Sequence, residues 1–598
     1  LELDPGGPGS RIVGHLFHAS LEDNPAFEAL SYTWGFPSPT YDITIDGHAF
    51  PVARNLRKAL DDLRREDRPR VIWTDAICIN QRDNDEKAHQ IRLMRGIFSS
   101  AHLVCTWTDH NVQPMGPVFD DLDSLGEEGG VDISDFSDPS YWYPVADIFR
   151  VPYWRRLWVQ QELVLARNIN VYCRRDVLDG TKLLEFQHRI NVSHFEVTSL
   201  DRPEREILKY VEGSAAEPGN HAQVFSGGIL RARRNLALGR ESHGENADKI
   251  DRLVVSERVL GSSLLQLFLY ALGLDMVDPR DRVYGILGMA ADVDLSSFDV
   301  DYGAPVMTVY TQVFRHFLVK YKSLSFLAFD SERDNTRVPE REGFPSWMPH
   351  TLMPWSAISY SRACGDTLAD RARIDPGRLI LSAEGIHCDT ISFMEPRRFT
   401  PADPIVDWLS QVEDMCRRLW PEAEDRPFYE RDDVSDLFFP WISQERFKKA
   451  YGGTMKKPDA EQRAEWIRDM VFAAGKVDNP EDFSLLSIFN GSYQPDDVLL
   501  PETRTAIMYP FQGPATTKLF GTKGGRLGKI SQGVSAALGD QIWVIFGCRM
   551  PLILRPEAGD DGQFKVIGPA ILPPIMRGEA LEENGDTGRP RGQIIQLV

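Results

Sequence analysis

Over the first 175 residues the chain alternates short apolar runs with amphipathic stretches. Residues 11–18 read as a leading strand. Residues 27–32, 70–78, 103–107 and 170–173 are apolar and end abruptly in polar or small residues, as buried parallel strands do. Residues 41–48 alternate with period two and hold Asp46-Gly47, a hairpin signal. Between the runs lie helical patterns: 55–63 with Asn55 as N-cap and leucines at helical spacing, 86–100 with Ile91, Met94 and Ile97 on one face, and 152–166 opened by Pro152. The succession β-α-β-α-β-α-β predicts an α/β fold, a parallel sheet flanked by helices. Residues 113–140, rich in Gly, Asp, Ser and Pro, read as a surface insertion.

The texture changes further on. A mainly helical middle region spans 181–375, with apolar residues 262–272, an Asp-Pro helix entry at Asp278 and an amphipathic stretch at 306–318. Residues 376–598 read as a β-rich C-terminal module, interrupted near 400–495 by a helical insertion with helices at 408–420 and 460–473. With 1–180 as the first domain, three domains result, in line with a length of 598 residues.

Composition narrows the function classes. Lys and Arg number 67 against 88 Asp and Glu, a net charge of -21, which argues against non-specific binding to nucleic acid or anionic membranes. The basic run Arg231-Ala-Arg-Arg234 is the nearest candidate for a local basic patch and reads more readily as a solvated helix face. The seven cysteines form no CxxC pair and sit mostly in apolar runs, the pattern of reduced, buried thiols. No metal site is expected. The chain opens Leu-Glu-Leu-Asp-Pro-Gly, without a starting Met or a signal-like segment, and no apolar run reaches the length of a membrane span; the expectation is a cytoplasmic protein.

The chemistry-bearing residues fall at strand ends and on one helix. Ala29-Leu-Ser-Tyr-Thr-Trp-Gly35 places Ser31, Tyr32, Thr33, Trp34 and Gly35 where the first core strand breaks. Trp73-Thr-Asp-Ala-Ile-Cys-Ile-Asn-Gln81 places Asp75, Cys78 and Asn80 after the next. Tyr153-Trp-Arg-Arg-Leu-Trp-Val-Gln-Gln-Glu-Leu163 puts Trp158 and Glu162 one helical turn apart on a shared ridge. Ligands of open α/β sheets gather at strand carboxyl ends, so the motifs are expected to converge there. Each residue has a plain alternative. The tryptophans serve a core, Asp75 and Asn80 close their own loop, Glu162 faces solvent, and Cys78, with no base beside it, is a packed thiol.

These three motifs in this order, with Glu86-Lys-Ala-His-Gln90, resemble the fungal heterokaryon-incompatibility (HET) domain. Asp278-Pro-Arg-Asp-Arg-Val-Tyr-Gly-Ile-Leu-Gly288 and the glycine-punctuated tail after Gly524 resemble segments that accompany that domain. The resemblance implies a role in nonself recognition and cell death with an incompatibility partner protein. It also suggests kinship to TIR domains, hence a TIR-like, flavodoxin-like sheet. In NAD-cleaving TIR domains the glutamate of a Trp-x-x-x-Glu-Leu pattern is catalytic, which by resemblance assigns that role to Glu162. NAD or a related nucleotide would then be substrate and not cofactor, bound by Ser31, Tyr32, Thr33, Trp34, Gly35, Asp75, Cys78, Asn80 and Trp158, with self-association completing the site. The alternatives are a death-signalling module without catalysis and a nucleotide-binding switch without turnover.

Overall fold

A computed structural model describes residues 1–193 with short interruptions (37, 110–116, 126–129, 131, 136–137). It further describes 263–329 (save 272, 291, 296–297), 344–349, 361–397, 405–421 and 517–598 (save 532–533, 560–561, 583–590), with Ile207, Tyr210, Arg233 and Val434. The chain divides into two compact units, one of residues 1–246 and 258–313, the other of 247–257 and 314–598.

The first unit is built on a nine-stranded mixed sheet. Its strands are β1 Glu2–Leu3, β2 Val13–His15, β3 Glu28–Tyr32, β4 Thr40–Ile45, β5 His48–Ala53, β6 Arg70–Trp73, β7 Leu103–Thr108, β8 Ile169–Cys173 and β9 Asp176–Asp179, in the spatial order β5-β4-β2-β1-β6-β3-β7-β8-β9. The middle is parallel: β3 pairs with β6 and β7, and β7 with β8. Every residue of β3 is buried, which is why it reads as an unbroken apolar run. The flanks are not parallel. Antiparallel pairs join β1 to β6 and β2, β4 to β5 and β8 to β9, so the expected parallel sheet is the centre of a larger mixed one. The β4–β5 turn is at Asp46-Gly47, both at positive φ (51° and 81°), as a two-residue hairpin of this twist requires.

Helices cover the sheet: α1 Arg54–Leu63, α2 Asp75–Cys78, α3 Asn84–Ser100, α4 Pro117–Ser124, α5 Tyr143–Asp147, α6 Leu157–Leu165 and α7 Gly180–Ser193. Leu56, Ala59, Leu60 and Leu63 of α1 pack with Leu30, Ile72 and Trp107 in one apolar core. Asn55 is not the N-cap of α1, because Ala53 holds that place; its amide instead donates to the Thr33 carbonyl at 2.9 Å. Asp83 caps α3 by accepting from the N–H groups of Asp85 and Glu86. The helix expected over 152–166 is broken. Pro152–Arg155 form a 3-10 turn, Arg156 is extended, and α6 begins at Leu157.

The described part of 113–140 is more than a surface insertion, since Val118, Phe119, Leu122 and Ile133 are buried. Of the basic run only Arg233 is described. It is no solvated face residue: its guanidinium donates to the carbonyls of Leu163 (2.5 Å) and Ala166 (2.6 Å) at the end of α6, where a cation suits the helix dipole.

The second unit carries an eight-stranded, mostly antiparallel sheet: β10 Arg373–Asp375, β11 Ile380–Met394, β12 Thr517–Thr522, β13 Leu527–Ser531, β14 Gln541–Ile545, β15 Leu552–Pro556, β16 Gln563–Pro569 and β17 Gln593–Leu597. Because β17 pairs with both β16 and β11, the path β11-β14-β15-β16-β17 returns on itself and closes a ring of five strands, with β10 and the β12–β13 pair attached at β11. Helix Ile405–Leu419 realises the first expected helix of the insertion; the second, at 460–473, lies outside the described residues. Among the described residues no helix is long and apolar enough to cross a membrane, and no group of three His, Cys, Asp or Glu is placed to hold a metal ion.

Candidate functional site at the carboxyl ends of the parallel strands

The four parallel strands lie in the spatial order β6-β3-β7-β8, so chain connections leave β3 in opposite directions, the switch point beyond whose carboxyl end open α/β sheets take their ligands. Ser31 and Tyr32 end β3, Thr106 lies near the end of β7, and Asp75 opens the short α2 just after β6. Helix α6 delivers Glu162 to this place. Leu157 and all residues from Val159 to Leu165 are buried, so α6 has no solvent face and its polar residues need internal partners.

Glu162 is 8% exposed and receives the Ser31 hydroxyl on Oε2. Ser31 Oγ also lies 2.6 Å from the Tyr153 hydroxyl, which donates to Thr106 at 3.1 Å. Hydroxyl rotors turn, so this chain can carry its hydrogens toward an ionised Glu162 or away from a protonated one. Burial pushes the Glu162 carboxyl up to about 8; the Ser31 bond opposes that rise, the charge of Asp75 adds to it, and Arg156 lowers it. Such a carboxyl is held mostly protonated at neutral pH until a cation or a donor arrives.

Asp75 is the second acid. The indole Nε1 of Trp34 donates to its Oδ2 at 2.9 Å and the Ala76 N–H to Oδ1 at 2.7 Å. Burial nevertheless raises it to about 6, against those two bonds and the charge of Arg156. The Tyr32 phenol is raised by burial and then by Asp75. Gly35 stands at φ +72°, and a Cβ there would come 2.7 Å from the Asn55 amide, so the turn after β3 needs glycine on both counts.

Of the residues singled out in the sequence, Ser31, Tyr32, Asp75, Trp34 and Glu162 thus come together, with Thr33 and Gly35 shaping their turn. Cys78 packs against the sheet core. Asn80 is spent on its own loop: its N–H donates to Glu86 at 2.9 Å and its side chain accepts from Arg82. Gln81 likewise reaches back to the Asp75 carbonyl at 3.0 Å. Trp158 is half-buried, and its Nε1 donates to Asp281 at 3.1 Å, a carboxylate far downstream. Sequence reasoning missed Tyr153, Thr106 and Arg156 as neighbours of Glu162. The first two are apolar-run residues whose hydroxyls become relevant only once β7 lies beside β3. The signal for Arg156 was present, an arginine six residues before the glutamate, but an unbroken helix would have turned it elsewhere.

Residues 27–162 match the family described as Heterokaryon incompatibility protein (HET). The chain carries a HET domain. The match ends at Glu162 itself, so it spans both acids and, save for Leu163, the three motifs. The chain is also similar to "Heterokaryon incompatibility protein 6, OR allele" of Neurospora crassa, with 26% identity over 418 residues, 59% of this chain and 57% of that protein. The aligned region thus spans little more than half the length of the curated relative. No solved structure matches.

Proposed function

We propose that the HET domain binds NAD or a related nucleotide beyond the carboxyl end of β3 and hydrolyses its nicotinamide–ribose bond, with Glu162 as the catalytic carboxylate. The observation that carries this reading is a buried, hydroxyl-bonded carboxyl at the sheet's switch point, with no ion-pair partner within reach among the described residues. The order β6-β3-β7-β8 is that of a flavodoxin-like sheet and supports the TIR-like kinship.

The leaving pyridinium is already cationic, so no general acid is required. The bond from the ribose C1′ to nitrogen breaks, nicotinamide departs with the electron pair, and water supplies hydroxide to C1′ and releases a proton. Positive charge builds on the sugar in the transition state. A pyridinium bound there favours the ionised form of Glu162, whose carboxylate then faces the developing oxocarbenium in a low dielectric. Ser31 holds that carboxylate in place. Asp75, tied to Trp34, is suited to hydroxyls of the ribose.

In line with the resemblance to the HET domain, this activity would serve nonself recognition and cell death in the cytoplasm, triggered by an incompatibility partner and completed by self-association. The deciding experiment is nicotinamide release from NAD by the full chain at low and high protein concentration, beside Glu162→Gln. Release that disappears in a variant whose melting temperature is not lowered is the expected result. A second reading, recognition without turnover, draws on Trp34 and Phe36, which are 37% and 88% exposed just after β3. It predicts no release at any concentration, with toxicity in cells that survives Glu162→Gln.

A further inference from the structure

Ser31 and Thr106 stand side by side in the register of β3 and β7, and one phenol bridges both. The Tyr153 hydroxyl lies 2.6 Å from Ser31 Oγ and 3.1 Å from Thr106 Oγ1, and all three residues are buried, as is Glu162 at the end of the row. Tyr153 reaches this place because the chain breaks before α6. Tyr153 and Glu162 are nine residues apart, which in one unbroken helix is about two and a half turns and puts them on opposite faces. The 3-10 turn Pro152–Arg155 and the extended Arg156 instead bring both to the same serine. That turn is firmly held. The Tyr153 ring meets Trp154 edge-on at 5.2 Å, Trp154 Nε1 donates to the Ile148 carbonyl at 2.8 Å, and Gln160 of α6 donates to the Trp154 carbonyl at 3.0 Å.

Each hydroxyl has one hydrogen, and that fixes the order of donation. A Ser31 that donates to Glu162 has none left for Tyr153, so across their 2.6 Å contact Tyr153 donates, and Thr106 then donates to Tyr153. A protonated Glu162 reverses all three: it donates to Ser31, Ser31 to Tyr153 and Tyr153 to Thr106. Burial, and then the charge of Glu162, hold the Tyr153 phenol well above its usual range, so it keeps its hydrogen in both orders. Of the charged groups around α6, Asp75 and Arg156 act on Glu162. On α3 and the helix Asp281–Leu287, which pack against α6, Lys87, Arg92 and Asp281 are engaged with Tyr302, Asp299 and Trp158. Among the described residues, the hydroxyl row alone hydrogen-bonds the Glu162 carboxyl.

We propose that Tyr153 is a positioning residue: by donating to Ser31 it leaves the serine hydrogen on Glu162 Oε2 and so favours the carboxylate over the acid. A phenol is a stronger donor than an aliphatic hydroxyl, and donors in series strengthen one another in a low dielectric. Bonds that end on a charged acceptor are the stronger ones. The order that ends on a carboxylate therefore gains more from Tyr153 than the reversed order, which ends on Thr106. This rests on the reading of Glu162 as the catalytic group, since it is the ionised form that faces the oxocarbenium.

The test follows the ionisation of Glu162 in the full chain, without substrate. Stability is measured across the pH range for each protein beside its Glu162→Gln counterpart, so that titrations common to both cancel. In the parent pair the two curves should diverge as pH rises and run parallel once Glu162 is ionised, above about 8. Tyr153→Phe should carry the divergence about one unit higher. Replacement of Tyr153 alone by 3-fluorotyrosine, of nearly the same shape and a stronger donor, should end it about half a unit lower. The fluorinated protein keeps the ring contacts, so it decides the matter even if the phenylalanine variant does not fold. An end point that is unmoved or higher in the fluorinated protein overturns the proposal. The acid limb of kcat/KM for nicotinamide release, which reports the free enzyme, should move with these end points. A limb that stays in place overturns the claim that this ionisation serves the reaction. Absence of nicotinamide release from the unmutated chain would remove the hydrolase reading but leave the substrate-free readout of Tyr153 intact.

Discussion

Two buried acids sit at opposite ends of the same parallel strands, and they are handled in opposite ways. Glu28 opens β3 and is bound by Arg70, whose guanidinium reaches it at 2.5–2.6 Å and also donates to Tyr172 at 2.9 Å and to Cys105 at 3.2 Å. Arg65 adds a second cation at 3.2 Å. Glu162, beyond the carboxyl end of β3, has hydroxyl partners instead, and its charged form is disfavoured. A carboxylate locked to arginine is a fixed part of a sheet. One left with neutral donors keeps an ionisation that a ligand can shift, which marks the carboxyl ends as the place where chemistry happens.

The most disruptive way to break this contrast is Arg70→Ala. It leaves the buried Glu28 with only the more exposed Arg65 as cation and is expected to cost about 3 kcal/mol, read as a fall in the denaturant midpoint. Removing Arg70 and Glu28 together with apolar replacements should cost much less than the single change.

The next effect runs the other way. Glu162 holds its proton in the folded chain up to about 8, while in the unfolded chain it titrates in the ordinary glutamate range near 4.5. Between those values the native state binds more protons than the unfolded one, so this group makes stability fall as pH rises through that window. Glu162→Gln should flatten that slope and gain on the order of a few kcal/mol relative to the unmutated protein at pH 8, with little difference at pH 4.5. Equal slopes in thermal melts across this range would show that Glu162 is ionised throughout.

Much of this contrast was not legible in the sequence. The strands, the Asp46-Gly47 turn and the strand-end placement of Ser31 and Asp75 follow from local pattern, because a buried parallel strand and a tight turn leave compositional marks. Glu28 attracted no notice, since its partner is 42 residues away and pairing across strands has no sequence signature. The burial of Glu162 was equally hidden: α6 is enclosed on every side, so it shows no polar face from which to read an orientation. The break at Arg156 arises because the backbone there bridges to Asp275, far along the chain. The bond from Trp158 to Asp281 is equally long-range, 123 residues along the chain, and leaves no local mark.

The smallest effect sharpens the contrast most. Arg156 is the cation whose charge opposes the rise of Glu162, Asp75 and Tyr153, yet no described carboxylate lies within ion-pair distance of it. Its neighbour Arg155 is committed to Asp275. If distance is what distinguishes the two ends of the sheet, then removing this weak, remote cation should move the Glu162 titration by only about half a unit to one unit upward, as expected of a charge acting through an intermediate dielectric. Arg156→Gln in the otherwise unmutated chain therefore should extend the falling part of the stability–pH curve to higher pH by that amount. The same change in a Glu162→Gln background should leave only the smaller slope due to Asp75, which is raised to about 6. A shift of two units or more would mean that Arg156 closes on Glu162 in solution as Arg70 does on Glu28, and the carboxyl end would then be a second fixed ion pair.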